Sequence, residues 1–158
     1  MTNDYVSNIL AVYNGASGDV MRSGIAWYAN AHAFAQSLDN DIVRSAAVIA
    51  VISPNTSWSA NKTLALKAYA NMSGEGVGFP DKVSKVNRLF TGENPHNVVK
   101  GPKVTAFFHT ILDPWNANVV PVIDRHAQDI AVGFRNTEKG RKPPAGKRYA
   151  EYADAYRE

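Results

Sequence analysis

Cysteine is absent from the 158 residues, and with it go disulfides, iron–sulfur clusters and cysteine zinc sites. Histidine is scarce. His32, His96, His109 and His126 are scattered and offer no ligand spacing such as HExxH. Neither a structural metal nor a cofactor is therefore expected. No apolar run in the chain approaches the roughly 18 residues that span a bilayer. The opening "MTNDYVSN" lacks the basic segment of a secretory signal. These absences point away from a membrane and toward a cytoplasmic protein. Internal repeats are lacking too, and the length fits one domain over residues 1–158.

What is present is ordinary in amount and uneven in placement. Hydrophobic residues make up 45% and charged residues 20%, the composition of a globular chain rather than a disordered one. The formal net charge is +3. Residues 1–78 carry four Lys/Arg against five acids, while residues 79–158 carry 13 against nine. A basic second half is compatible with a polyanionic partner, or with ordinary scatter of solvated charge. The one low-complexity stretch, "RNTEKGRKPPAGKR" at 135–148, is basic and broken by Pro and Gly. It is expected to be a mobile surface loop.

Helical patterns fill the first half. "DVMRSGIAWYANAHAFAQSL" (19–38) is alanine-rich and places Ile25, Tyr28, Ala29, His32, Ala33 and Gln36 at offsets of three and four, as one helix face would. Asp39 or Asn40 is expected to cap "DIVRSAAVIAVIS" (41–53), whose apolar residues run nearly all round and predict a buried central helix. Pro54 is expected to force Ser53 out of helical geometry, and Ser or Thr of "SPNTSW" to cap a helix over "WSANKTLALKAYANM". The glycines of "SGEGVGF" mark a loop, "PDKVSKVNRLFTG" (80–92) is a helix opened by Pro and closed at Gly92, and "NPHNVV" is a connecting turn. With "RYAEYADAYRE" as the last helix, the expected fold class is all-α.

The segment "KGPKVTAFFHTILDPWNANVVPVIDRHAQDIAVG" (100–133) carries the chemistry. Gly101 permits a positive φ or a close approach, and Pro102 presets the first turn of a helix that runs to Leu112. Backbone N–H groups at that start, beside Lys100 and Lys103, suit a phosphate oxygen. After a turn, "VVPVI" leads to Asp124, Arg125 and His126 at the start of a second helix, where Asp124 can serve as a cap. Arg125 suits a backbone phosphate because its guanidinium stays charged. His126 either orients Asp124, touches a phosphate or is a satisfied half-buried side chain. His109 is expected to pack within the hairpin helix. Trp27, Trp58 and Trp115 read as core or wedge residues before base-stacking platforms.

The pair "GPKV" and "VPVIDRHAQDIA" resembles the helix-hairpin-helix DNA glycosylases, where a Gly-x-Lys-(Thr/Val) hairpin precedes a Val-Asp-x-His segment. Within them the likeness is to the 8-oxoguanine DNA glycosylase and endonuclease III branch, and it covers residues 41–133. The resemblance implies a glycosylase-like helical domain with its hairpin unit at 95–133. Lys103 matches the family's lysine nucleophile and Asp124, 21 positions on, its catalytic aspartate. That spacing is a little longer than the family's and implies a small insertion around "DPWNA". Lys100, Gly101, Pro102, Arg125 and His126 would then lie against DNA. Asn55 and Trp58 would match the turn that helps fill the gap left by an extruded base. There are departures: Val99 stands for the first hairpin glycine, and Thr105 for a common small Ala. The family's C-terminal cysteine cluster is missing, and the chain stops in or just after a helix at Glu158, where the family returns to complete its first lobe. A reduced or truncated version is implied.

The implied function is cleavage of the N-glycosidic bond of a damaged or modified base in duplex DNA, by a monomer in a bacterial or phage-infected cell. The nucleotide is extruded from the stack, which costs a few kcal/mol. A carboxylate near the anomeric carbon stabilises the positive charge developing on the sugar. An unprotonated lysine can attack the same carbon and give the Schiff base from which an AP lyase cuts the strand. Two alternatives stay open. One is a glycosylase-fold transferase or pyrophosphorylase of phage-type thymidine hypermodification. The other is a non-catalytic hairpin module in which Gly101 and Lys103 hold phosphate and Asp124 is only a cap.

Overall fold

Every residue from Ser45 to Ile52 is buried, so the helix that contains them has no solvent face and must be wrapped on all sides. In the computed structural model, which describes residues 4–138 and 142–158, other helices do the wrapping. In chain order the helices are α1 (Tyr5–Gly15), α2 (Gly18–Leu38), α3 (Ile42–Ile52), α4 (Trp58–Asn71), α5 (Pro80–Phe90), α6 (Pro95–Val98), α7 (Pro102–Leu112), α8 (Arg125–Val132) and α9 (Gly146–Ala155). The central helix α3 packs against α2, α4, α5, α6 and α7. No strand occurs among the described residues, and the fold is all-α as expected. None of the described helices is long and apolar enough to cross a membrane.

The local signals act with some corrections. Asp41 caps α3, its Oδ1 accepting from the N–H groups of Val43 and Arg44 at 3.1 Å, whereas Asp39 and Asn40 were the expected caps. Asp39 instead accepts from the guanidinium Nε of Arg44 at 2.7 Å and from the hydroxyl of Tyr69 at 3.0 Å, tying the start of α3 to α4. Ser53 keeps helical angles (φ −61°, ψ −32°), contrary to the expected break. The helix ends because Pro54 has no N–H to extend the ladder, not because Ser53 is bent away. Ser57 caps α4 through its hydroxyl. The stretch read as a connecting turn contains the one-turn helix α6, capped by Asn94. Helix α9 begins at Gly146, inside the stretch expected to be loop, and Pro144 is buried. Residues 139–141 of that stretch lie outside the described residues, and its mobility is not a property of the geometry described.

The buried face of α2 is rotated from the expected one. Ile25 is 78% exposed, and Ala33 and Gln36 are exposed as well. Ala31 and Ala35 face inward, flanked by Trp27, Tyr28, Phe34 and Leu38. Small side chains on that line let the helix backbone approach its neighbours while the large ones fill the space beside it.

Two hydrophobic clusters result. The larger gathers around α3, with Ile49, Ile52, Val86, Leu89, Phe107, Phe108 and Ile111 among its members. The smaller joins Ala106, Ile123, Ala131, Tyr149, Tyr152 and Ala153, with Tyr5, Ile9 and Tyr156 against them. Helix α1, which the sequence reading passes over, belongs here and packs on α8 and α9. Its Asn8 amide donates to the Ala131 carbonyl at 2.8 Å. Helix α7 serves both clusters, presenting Phe107 and Phe108 to one and Ala106 to the other.

Candidate functional site

The hairpin between α6 and α7 is three residues long. Val99 is buried and extended (φ −72°, ψ 119°), an ordinary conformation that needs no glycine. Gly101 sits at φ +88°, a value L side chains rarely adopt, and precedes Pro102 at the first position of α7. Pro102 has no N–H, so Lys103 and Val104 carry the orphan donors of the first turn. Lys100 is exposed, and its ammonium reaches back to the His96 carbonyl at 3.3 Å.

Asp124 caps α8. Its Oδ1 accepts from the N–H groups of His126 and Ala127, each at 2.9 Å, and among the described residues no backbone N–H bonds Oδ2. The bland reading of Asp124 as a cap is therefore correct as far as it goes. The same side chain also lines a cavity of about 180 Å³ together with Lys103. The two do not form an ion pair, and the half-buried Lys103 has no hydrogen-bond or ion-pair partner among the described residues.

Aromatic rings wall this cavity. Trp27 and Tyr28 come from α2, Trp58 from α4 and Phe107 from α7. The Trp27 ring lies 5.0 Å from that of Trp58, 4.8 Å from Tyr28 and 6.1 Å from Phe107, centroid to centroid. Val122 closes one side, and Ser53, Thr56 and Asn61 supply the polar positions. Three tyrosines feel the carboxylate of Asp124. Burial first, then that carboxylate, pushes the Tyr28 hydroxyl far above the ordinary tyrosine value. The same two causes push Tyr156 up to about 12. Burial and the carboxylate also raise Tyr149, against the pull of its bond from the Ile123 N–H.

The turn over 53–57 is fixed from beneath by a residue that sequence reasoning missed. Lys82, only 7% exposed, donates from Nζ to the carbonyls of Ile52 (2.7 Å) and Pro54 (2.6 Å) and to the Thr56 hydroxyl (2.9 Å). A cation here meets the negative end of α3. Its signal was legible. Lys82 occupies the stripe of α5 otherwise held by Val86 and Leu89, all three buried. Burial lowers its pKa.

Beyond the turn, a groove of about 420 Å³ runs between Ser53–Asn55 and Gly101–Val104, with Arg125, Lys142 and Pro143 along its other side. Groove and cavity share Ser53 and Lys103. The structure thus brings Lys103, Asp124 and Trp58 to the cavity, and Asn55, Gly101, Pro102 and Arg125 to the groove. Asn55 is exposed at φ +55° and lines the groove, whereas Trp58 lines the cavity. His126 is exposed, and it touches Asp124 through its backbone N–H alone among the hydrogen bonds described. His109 is half-buried beside His96, ring centroids 5.6 Å apart. Burial, then His96, lowers its pKa. Trp115 is 71% exposed and meets His32 edge-on, neither core nor cavity wall. A larger cavity of about 990 Å³ lies on the far side of α7, toward α9, and includes neither Lys103 nor Asp124. Among the described residues no three His, Asp or Glu side chains gather as metal ligands would.

These features define an all-helical protein with a small aromatic cavity opening beside a basic groove. The chain matches over residues 1–158 the family described as a family of unknown function, DUF7178, and belongs to it. No curated protein and no solved structure matches the chain.

Proposed function

We propose that this chain is a base-acting enzyme on DNA, of the helix-hairpin-helix glycosylase type, cleaving the N-glycosidic bond of a damaged or modified base. One observation carries the reading. Lys103 and Asp124, 21 positions apart and on different helices, line one aromatic cavity that adjoins a groove bearing Lys103, Arg125 and Lys142.

In this reading the duplex lies along the groove, its phosphates on the first N–H groups of α7 and on Arg125 and Lys142. The extruded nucleotide enters base first, its ring against Trp27 and Trp58, and its anomeric carbon stops between Lys103 and Asp124. Oδ2 of Asp124 stabilises the positive charge that grows on the sugar as the glycosidic C–N bond lengthens. The unprotonated Lys103 amine forms the new C–N bond, the base leaves with the old bonding pair, and the proton released from the lysine nitrogen goes to the departing base. Opening of the sugar ring then gives the Schiff base.

Borohydride trapping tests the reading on duplex oligonucleotides carrying oxidised, deaminated, alkylated, abasic and hydroxymethylated pyrimidine sites. An adduct on one substrate, lost in Lys103→Ala, is the expected result. No adduct and no released base on any substrate overturns it, and leaves a hairpin DNA-binding module or a transferase with a second substrate.

A further inference from the structure

Asn61 is 2% exposed and lines the aromatic cavity, yet half of its amide is unpaired. Its Nδ2 donates to the Ile49 carbonyl at 3.0 Å. That carbonyl is available because Ser53, which would have bonded it in a continuing helix, donates its N–H to Ala50 instead. A carbonyl can only accept, so the nitrogen of Asn61 must face it and the amide cannot be flipped. Its Oδ1 is left buried with no hydrogen-bond partner among the described residues. A buried amide oxygen without a donor costs about 1–3 kcal/mol, and native structures rarely leave one without a reason.

Two further polar side chains that line the cavity, Ser53 and Thr56, also offer acceptors. The Ser53 hydroxyl spends its proton on the Ala50 carbonyl at 2.8 Å. The Thr56 hydroxyl donates to the Pro54 carbonyl at 3.2 Å and already accepts from Lys82. The cavity thus combines oxygen lone pairs from Ser53, Thr56 and Asn61 with the aromatic faces of its walls. At about 180 Å³ it is smaller than the roughly 300–1,000 Å³ of sites that hold drug-sized ligands, so it suits one base, with sugar and phosphate outside.

We propose that Asn61 is the specificity-determining residue of this cavity, its Oδ1 accepting from an N–H donor, a ring imide or an exocyclic amine, on the edge of an extruded nucleobase. The inference rests on the reading of the cavity as a base pocket, and it is independent of whether Lys103 forms a covalent adduct. A base that turns only carbonyls or alkylated nitrogens toward Asn61 leaves the orphan oxygen unpaired and is rejected.

Trp27 and Trp58 supply the readout, because a base packed against them changes tryptophan emission. Wild type, Asn61→Leu and Asn61→Asp are titrated with uracil, thymine, cytosine and adenine, each beside the form methylated at its hydrogen-bonding nitrogen. In wild type at least one base is expected to bind about tenfold or more tightly than its methylated form. Asn61→Leu abolishes that ratio, and Asn61→Asp, whose neutral acid keeps a carbonyl oxygen at the same place and can donate its O–H to the Ile49 carbonyl, retains it. Should the Leu variant fail to fold, the wild-type and Asp ratios decide. A ratio near one in wild type, a ratio lost in Asn61→Asp, or one that persists in Asn61→Leu and so reflects methyl bulk, overturns the assignment of Asn61. If no base binds at all, the base pocket itself fails and the assignment with it. If bases bind with the expected ratio but no duplex is trapped, Asn61 stands and the lysine mechanism falls.

Discussion

The core around α3 and the smaller one around α8 and α9 are closed by different means. The first is aliphatic and phenylalanine-rich, with α3 surrounded by five helices and its ends clamped by charge: Asp41 and the Asp39–Arg44–Tyr69 cluster at the start, Lys82 at the finish. The second relies on tyrosines whose hydroxyls reach backbone. Tyr149 donates to the Pro121 carbonyl and accepts from the Ile123 N–H, and Tyr156 donates to the Ala127 carbonyl. Burial of apolar area sets global stability, while a few directional bonds set where a loop lies. Lys103 stands on α7, whose Phe107, Phe108 and Ile111 belong to the first cluster and Ala106 to the second, and Asp124 caps α8, whose Ala131 belongs to the second. The separation of the two groups therefore depends on how the two clusters meet.

The sharpest test of the contrast removes bulk from the first core. Phe108→Ala, at a side chain with no exposed surface, should lower stability by about 3–5 kcal/mol, read by denaturant unfolding. A loss no greater than that of Tyr149→Phe would erase the distinction. Lys82→Met strands the Ile52 and Pro54 carbonyls and should cost about 2–3 kcal/mol. A shift in tryptophan emission should accompany it as the 53–57 turn moves against Trp58.

Asp39→Asn should cost about 1.5–3 kcal/mol, through a charge-assisted bond lost. Burial tends to raise the Asp39 carboxyl, but the bonds from Arg44, the Asp41 N–H and Tyr69 outweigh it and hold the pKa below 3.8. Because the folded state gives up this proton more readily than the unfolded chain, the contribution is complete above that unfolded value and disappears as pH falls through the folded one. The acid limb of a stability-versus-pH curve should accordingly flatten in the variant. An unchanged limb would remove Asp39 from the clamp.

Tyr149→Phe should cost about 1–2 kcal/mol and speed amide exchange in α8 and α9 while leaving α3 protected. Uniform acceleration across both regions would mean that they open as one unit. The smallest effect is expected at the site. Asp124→Asn keeps a cap oxygen and should change stability by no more than about 0.5 kcal/mol, yet abolish base release. A large stability loss with it would reduce Asp124 to its capping role.

Much of the fold was legible because its signals are local. The all-round apolar pattern marked α3, Pro80 and Gly92 bracketed α5, and Asp124 announced the start of α8. The failures share a physical cause. An alanine-rich helix such as α2 carries little burial preference on most faces, so the choice among them falls to Trp27, Phe34 and Leu38 and to the neighbours they meet. Short α1 buries no residue fully and becomes a core element only through partners at the other end of the chain. Lys103 and Asp124 could be picked out by type and spacing. Asn61 and Lys82 could not be given roles, since both act on α3 carbonyls whose availability depends on how that helix ends.

The smaller cluster has a consequence for synthesis on the ribosome. The Asn8 to Ala131 bond spans 123 positions, whereas the α3 core has all its fully buried members by Ile111. A nascent chain can thus assemble the surroundings of Lys103 while α8 and α9 have not yet left the ribosome, and long-range contacts form slowly even afterwards. The lysine waits in a folded half for an aspartate that emerges later, and the cavity is complete only when α1 has met α8 and α9.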